Sequence, residues 1–278
     1  AKFGFLTEAA NTVGGYLANA TPGQNGANAV QMFEQPRKAY VLLNAEPELD
    51  CFNPQAARAA LNQADMVVVM SAFKHGHDFA DVMLPITPFS ETSGTFVNCE
   101  GRAQSFNGTV KPLGDARPGW KVLRVLGNLL ELGGFDYDTS EAIRNEIIGA
   151  NVPAEANLQP RLNNIGKALP QAAAVTGGAL ERVADVSIYA TDAIVRRSEP
   201  LQQTRDGAAP QAWLPADLAA KLGITAGEQV KVVQGGGSAM LVAAIDKTLP
   251  VNVVRVAAGH PSTAGLGAMF GPISVEKA

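Results

Sequence analysis

Two short runs of consecutive apolar residues, Ala39-Tyr-Val-Leu-Leu43 and Met66-Val-Val-Val-Met70, flank a segment opened by Asn53-Pro54 and helical in character through Leu61. Strands that are apolar at successive positions belong to sheets covered on both faces. A strand, a helix and a second strand in this order make a βαβ unit, so the first half of the chain reads as α/β with a parallel sheet. Further on, Arg117-Pro118 opens a helix that places Trp120, Leu123, Leu126 and Leu130 on one face, with Gly133-Gly134 as its stop. Asp138 with Glu141 three positions later reads as a capping box before Ile143 and Ile147.

The texture then changes. Residues from about 150 to 184 are rich in Ala, Asn, Pro and Gly, and Pro153, Pro160, Pro170 and Gly177-Gly178 break any sustained period, which predicts a linker. Beyond it, short β-type runs occur at Val186–Ala190, Glu228–Val233, Ala239–Ile245, Asn252–Val256 and Ile273–Val275. One helix interrupts them, from Pro215 to Leu222, with Gly223 as a left-handed stop. Several short strands with one helix predict a small barrel. The expected organisation is therefore an α/β domain over 1–150, incomplete at its N-terminus, a linker over 151–184 and a β-barrel domain over 185–278. A length of 278 residues suits two such domains.

Composition removes several classes of function. With 46% apolar and 17% charged residues the chain is ordinary for a globular protein, not a disordered one. A formal charge of -4, spread along the sequence, leaves no basic face for a phosphate backbone, so no nucleic acid partner is expected. No apolar run approaches the roughly 20 residues that span a bilayer, so no direct membrane insertion is expected and the segment should be soluble. The opening Ala1-Lys2-Phe3-Gly4 lacks the features of a secretory leader and reads as the start of a piece cut from a longer protein. Cys51 and Cys99 lie far apart, which argues against a disulfide framework and for a reducing compartment; two cysteines cannot make a conventional iron-sulfur site.

Few residues suggest chemistry. The densest polar segment runs from Ala80-Asp-Val-Met-Leu-Pro85 into Glu91-Thr-Ser-Gly-Thr-Phe-Val-Asn-Cys-Glu-Gly-Arg102. Its Gly94 and Gly101 permit turns, while Asp81, Glu91, Asn98 and Arg102 can satisfy backbone groups, so it reads as an ordered loop before it reads as a ligand site. His75-Gly-His77-Asp78 offers two imidazoles and a carboxylate to a metal, but histidines two apart beside a glycine read instead as a solvated loop. Gly235-Gly-Gly237-Ser238 lies between two strands, the context of a hairpin turn and not of a phosphate cradle. No Ser or Cys comes with a recognisable His and Asp arrangement.

The stretch Ala80–Trp120 carries Ala-Asp-Val-Met-Leu-Pro, then Glu91, Gly94-Thr95, Asn98, Glu100-Gly-Arg102, Gln104, Pro112, Gly114, Ala116-Arg-Pro118 and Trp120. In order and spacing it resembles the molybdopterin oxidoreductase superfamily. Residues 214–232, with Ala219-Ala-Lys-Leu-Gly-Ile-Thr-Ala-Gly-Glu-Gln-Val230, resemble that family's C-terminal double-psi β-barrel. Glu8-Ala-Ala-Asn11 with Gly14-Gly15, then Glu46-Pro-Glu-Leu-Asp50, then Thr191-Asp-Ala-Ile-Val-Arg-Arg197 with Leu201-Gln and Thr204, resemble the large iron-sulfur subunit of bacterial NADH-quinone oxidoreductase, respiratory complex I. The resemblance implies a partial Rossmann-like parallel-sheet domain followed by the barrel. It implies a C-terminal scaffold of that subunit, with no catalytic residue, metal ligand or redox cofactor of its own and with the 2Fe-2S and 4Fe-4S clusters upstream. Partners would be other peripheral-arm subunits, on the cytoplasmic side of the bacterial inner membrane. The alternative is a fragment of a molybdopterin-dependent enzyme similar to formate dehydrogenase, in which Glu91, Gly94, Asn98, Gly101 and Arg102 are a pterin-binding loop. Cys99 replaces the Thr common at that position in the superfamily.

Overall fold

The computed structural model describes residues 7, 9–149 and 179–278. Glu8 of the first marker motif and most of the expected linker lie outside the described residues. The chain makes two compact units, one from Ala1–Val30, Val69–Lys74 and Val82–Gln171, the other from Gln31–Val68, His75–Asp81 and Ala172–Ala278. This division differs from the expected split by sequence order, because the second unit combines the β-rich C-terminal region with two segments read as part of the α/β domain.

The βαβ reading matches the structure closely. Strands Ala39–Leu43, Met66–Ser71 and Val82–Pro85 form a sheet in that order, and the helix Pro54–Asn62 connects the first two. Asn53 caps this helix by accepting the Ala56 N–H at 3.1 Å, and Pro54 occupies the first turn, where a missing N–H costs nothing. Its inner face, Ala57, Ala60 and Leu61, is buried, as are Val67, Val69 and Met70 of the next strand.

In the first unit, Gly94–Val97 and Ala103–Phe106 form an antiparallel hairpin. The helix after Pro118 spans Gly119–Leu129. It stops earlier than Gly133-Gly134 suggested: Glu131 adopts the left-handed conformation (φ 56°) and Leu132 N–H returns to Gly127 O at 2.9 Å. The next helix, Ser140–Ile148, is capped by Thr139, whose hydroxyl accepts the Ala142 N–H at 3.1 Å, so the cap is one residue later than Asp138.

The second unit contains a seven-stranded mixed sheet, ordered Phe270–Pro272, Glu181–Val183, Val253–Arg255, Ala212–Leu214, Gly237–Ile245, Gln229–Gln234 and Ser274–Lys277. Period-two alternation fills its core: Val230 and Val232 on one strand face the same interior as Ala239, Leu241 and Ala243 on the next. Helix Ala216–Leu222 ends on Gly223 in the left-handed conformation (φ 63°), as its sequence predicts. The triple glycine is a hairpin turn, with Gln234 paired to Gly237 across Gly235-Gly236. A Cβ on Gly237 would overlap the Gly265 carbonyl oxygen, which excludes any side chain there.

Two expectations fail in this unit. Glu181–Val183, assigned to the linker, is an internal strand, parallel to Val253–Arg255 and antiparallel to Phe270–Pro272. Val186–Ala190 is not a strand: Val186 makes a single bridge to Ala258, and the Ala190 N–H turns back to Ser187 O at 2.8 Å, closing the 3-10 turn Ile188–Ala190. The first error hid a structural anchor. Arg182 is 1% exposed and donates to Val256 O and Gln234 Oε1 at 3.1 Å, to Ala257 O and Gly267 O at 3.3 Å, and to Ala268 O at 3.4 Å. Burial pushes its pKa down to about 10, still cationic at neutral pH. The guanidinium thus organises the 256–268 segment around one side chain, with five neutral acceptors. Arg182→Met should lower the unfolding free energy by about 3 kcal/mol, because it leaves buried carbonyls without donors. Urea titration of the two proteins measures this, with Arg182→Lys expected to fall between them.

Candidate functional site

The site lies wholly in the second unit. The strand Ala39–Leu43 ends at Asn44 (φ 50°), which turns the chain into the one-turn helix Pro47–Asp50. Asp50 Oδ2 accepts the Glu46 N–H at 2.7 Å, so the turn is closed by its own last side chain. The result holds the Glu46 side chain at 2% exposure. A second segment supplies the cations. Asp192 Oδ1 accepts the N–H groups of Ile194 and Val195 at 2.8 and 2.9 Å, shaping the 3-10 turn Val195–Arg197. Gln202 Nε2 donates to Tyr189 O at 2.9 Å and Val195 O at 2.7 Å, fixing the same turn from its other side.

These two segments meet. Arg196 donates Nε and Nη2 to Glu46 Oε2 at 3.1 and 2.8 Å, and Nη2 also to Asp50 Oδ1 at 2.9 Å. Arg196 Nη1 donates to Ala190 O at 2.9 Å. Arg197 Nη2 lies 2.5 Å from Glu46 Oε1. His75 joins the group, with Nε2 2.8 Å from Glu48 Oε1 and Nδ1 3.6 Å from Glu46 Oε1. Nearby, Arg58 pairs with Asp78 and stacks over Phe79, 5.3 Å from the ring centroid.

Burial alone would raise the Glu46 carboxyl. Hydrogen bonds from Arg197 and Arg196 with the charge of His75 outweigh it and hold the group below the ordinary range. Glu48 shows the same balance: burial raises it, while its bond to His75 and the Arg58 charge bring it down. Burial beside Asp50 and Glu48 pushes the Cys51 thiol up to about 11, so it is not a nucleophile at neutral pH.

The network walls a cavity of about 1040 Å³ whose lining includes Glu48, Arg58, His75, Arg197, Gly237 and His260. Each guanidinium on this wall already faces a carboxylate: Arg58 with Asp78, Arg196 with Glu46 and Asp50, Arg197 with Glu46. Among the described residues no group of three or more His, Cys, Asp or Glu is placed to hold a metal ion.

The residues expected to form a pterin loop are in the first unit. Asn98 Oδ1 accepts the N–H groups of Glu100 and Arg102 at 3.1 and 2.9 Å, and Gly101 takes φ 86° at the turn. Glu91 Oε2 accepts the Leu113 N–H at 3.1 Å, and Gly94 abuts the Phe106 ring, which a Cβ would meet at 2.7 Å. Gly94, Asn98 and Gly101 therefore shape the hairpin itself and Glu91 ties the segment before it to Leu113, while the Arg102 side chain is exposed. The reading of His75-Gly-His77-Asp78 as a solvated loop holds for His77 and Asp78, which are exposed, and is corrected for His75, which is half-buried against two carboxylates. Residues 46–50 and 191–197 are marker motifs in the sequence, but nothing local indicates that they touch, since Glu46 and Arg196 are 150 positions apart.

Comparison with known proteins supports the family resemblance. Residues 1–129 match the family described as Molybdopterin oxidoreductase. A provisionally named formate dehydrogenase of Staphylococcus aureus (strain bovine RF122 / ET3-1) is 39% identical over 87 residues, 31% of this chain and 8% of that protein. A protein of the same provisional name from Staphylococcus haemolyticus (strain JCSC1435) is 28% identical over 137 residues, 49% of this chain and 14% of that one. The matched segment is thus a small part of each relative's length. The fold is similar to that of acetylene hydratase from Pelobacter acetylenicus, with a TM-score of 0.62 and 18% identity over 91% of this chain and 47% of that one. No helix among the described residues is long and apolar enough to cross a membrane.

Glu46→Gln should destabilise the protein by about 3–5 kcal/mol, because it removes the carboxylate that Arg197 faces and leaves the buried Arg196 with Asp50 alone. The wild-type contribution of Glu46 is complete above its ordinary pKa of 4.5 and is lost as the pH falls through the lower folded value. Denaturant titrations taken from neutral into acid should therefore show a loss of stability that the variant has already suffered at neutral pH.

Proposed function

We propose that this chain is the C-terminal framework of the large subunit of an oxidoreductase of the molybdopterin oxidoreductase family, with its seven-stranded sheet forming the double-psi β-barrel. The Glu46–Arg196–Arg197 network braces that framework. The observation that carries this reading is the pairing of every arginine on the cavity wall with a carboxylate. A pterin dinucleotide brings phosphates, which need cations or N–H donors in surplus. The arginines of the wall are already paired, and Glu91 and Asn98 are occupied by backbone donors, which supports a framework role for these residues.

Of the two parents the sequence admits, the names of the relatives favour a formate dehydrogenase. In that parent the Gly94–Phe106 hairpin, through exposed Arg102, is the part of this chain nearest in kind to a cofactor contact. The large iron-sulfur subunit of NADH-quinone oxidoreductase is the second reading. It is favoured by one observation, that two of its markers, Glu46–Asp50 and Arg196–Arg197, build one network. In that parent the chain would lie among peripheral-arm subunits on the cytoplasmic side of the membrane, downstream of the iron-sulfur clusters.

The test uses the full-length polypeptide purified with its natural partners. Molybdenum, oxidised pterin fluorescence after denaturation, and dye reduction by formate or by NADH are measured together. Formate-driven reduction with stoichiometric molybdenum identifies the first parent, and NADH-driven reduction without molybdenum the second. For the bracing role, Glu46→Gln should lower thermal stability while leaving cofactor content and turnover per folded molecule unchanged. Loss of pterin at unchanged stability would overturn it.

A further inference from the structure

His75 occupies an unusual position for an imidazole, because both ring nitrogens face carboxylates: Nε2 meets Glu48 Oε1 at 2.8 Å and Nδ1 lies 3.6 Å from Glu46 Oε1. A neutral ring carries one N–H and one lone pair, so one of its nitrogens would turn a lone pair toward an anion. Only the imidazolium turns an N–H toward both carboxylates, within ion-pair distance of each. The charges around it lead to the same state. Glu48 and Glu46 face it from the Pro47–Asp50 turn, Arg197 from the 3-10 turn and Asp78 from its own loop, while Asp50, Arg196 and Arg58 belong to the same cluster through Glu46, Glu48 and Asp78. Arg58 and Asp78 neutralise each other. The remaining three carboxylates face two guanidinium groups, and a protonated His75 supplies the missing positive charge. Its bond to Glu48 raises its affinity for the proton, against a smaller opposing effect of burial.

The loop that His75 begins has few other attachments. The Phe79 and Ala80 N–H groups donate to Gly76 O at 3.1 and 2.9 Å, inside the loop, and Gly76 takes φ 80° where a Cβ would strike the Phe79 ring at 2.7 Å. The Arg58–Asp78 pair is exposed, with side chains 38% and 59% accessible, so it holds the loop weakly. His75 and Arg58 both line the large cavity.

We propose that His75 is a proton-operated latch: as an imidazolium bridging Glu48 and Glu46 it pins the 75–79 loop against the 46–50 turn, and loss of its proton releases the loop from the cavity wall. The inference is independent of which parent enzyme the chain belongs to. The sign follows from linkage. A histidine whose folded affinity for the proton is raised contributes stability in full below its ordinary value of 6.5, and that contribution disappears as the pH rises through the folded value.

The experiment follows the whole chain across this range. Nuclear magnetic resonance of the imidazole gives the His75 midpoint, and hydrogen exchange of the Phe79 and Ala80 amides, corrected for base catalysis, gives loop opening. Loop protection should fall severalfold with the same midpoint as His75, and that midpoint should lie above 6.5. In Glu48→Gln the midpoint should move down, and in His75→Lys the protection should no longer depend on pH over this interval. A His75 midpoint at or below 6.5, or loop protection that does not follow it, overturns the latch. The lysine variant separates loss of charge from loss of the fold: a folded His75→Lys protein whose loop is still released at the wild-type midpoint also overturns it.

Discussion

The carboxylate of Glu46, buried and held by two successive arginines, is the interaction on which the organisation of the second unit depends. Removing a charge from water costs several kcal/mol, and only close, well-directed partners offset that cost. Here the partners arrive from a segment 150 positions away and are themselves held by a backbone carbonyl, by Asp50 and by the turn that Asp192 and Gln202 shape. Each group is useful because the others are rigid. The network is a means of fixing where two stretches of chain meet, which apolar packing alone specifies less sharply.

Arg182 solves a related problem differently. It is a buried cation among the described residues with carbonyl and amide oxygens around it, not a carboxylate. Several neutral dipoles arranged about one planar group can replace a counter-ion, and because the guanidinium has five donors it can define the path of an irregular segment. The loop from Val256 to Ala268 has little regular secondary structure, and this side chain substitutes for it. Both arginine centres place polar atoms inside the unit with specific partners, in keeping with the rule that interior polar groups are hydrogen-bonded.

How much of this was legible depended on whether the determining signal was local. The strands Ala39–Leu43 and Met66–Ser71, the Asn53-Pro54 helix start, the Gly223 stop and the Gly235-Gly236 turn are encoded by neighbouring residues and could be read directly. Where competing local signals existed, the choice between them was missed: Thr139 caps in place of Asp138, and Glu131 turns the chain ahead of two glycines. The strand Glu181–Val183 is too short and too polar to stand out beside an Ala- and Gly-rich stretch, and its stability comes from flanking strands far along the chain. The charge network was present in the sequence as two motifs of opposite sign, but their contact is a property of the tertiary fold. His75 was misread for the same reason, since its two carboxylate partners lie more than a helix and a strand upstream.

The composition of the second unit has a consequence for how the protein is made. Its early segments, Gln31–Val68 and His75–Asp81, complete their unit only with residues after 172. Contacts that close so long a loop form late, after the entropy of bringing the ends together has been overcome. During synthesis from the N-terminus, Glu46 emerges well before Arg196 and Arg197, and its carboxylate stays hydrated at the surface of a nascent chain. Enclosure of that acid therefore waits until the segment carrying Arg196 and Arg197 is in place.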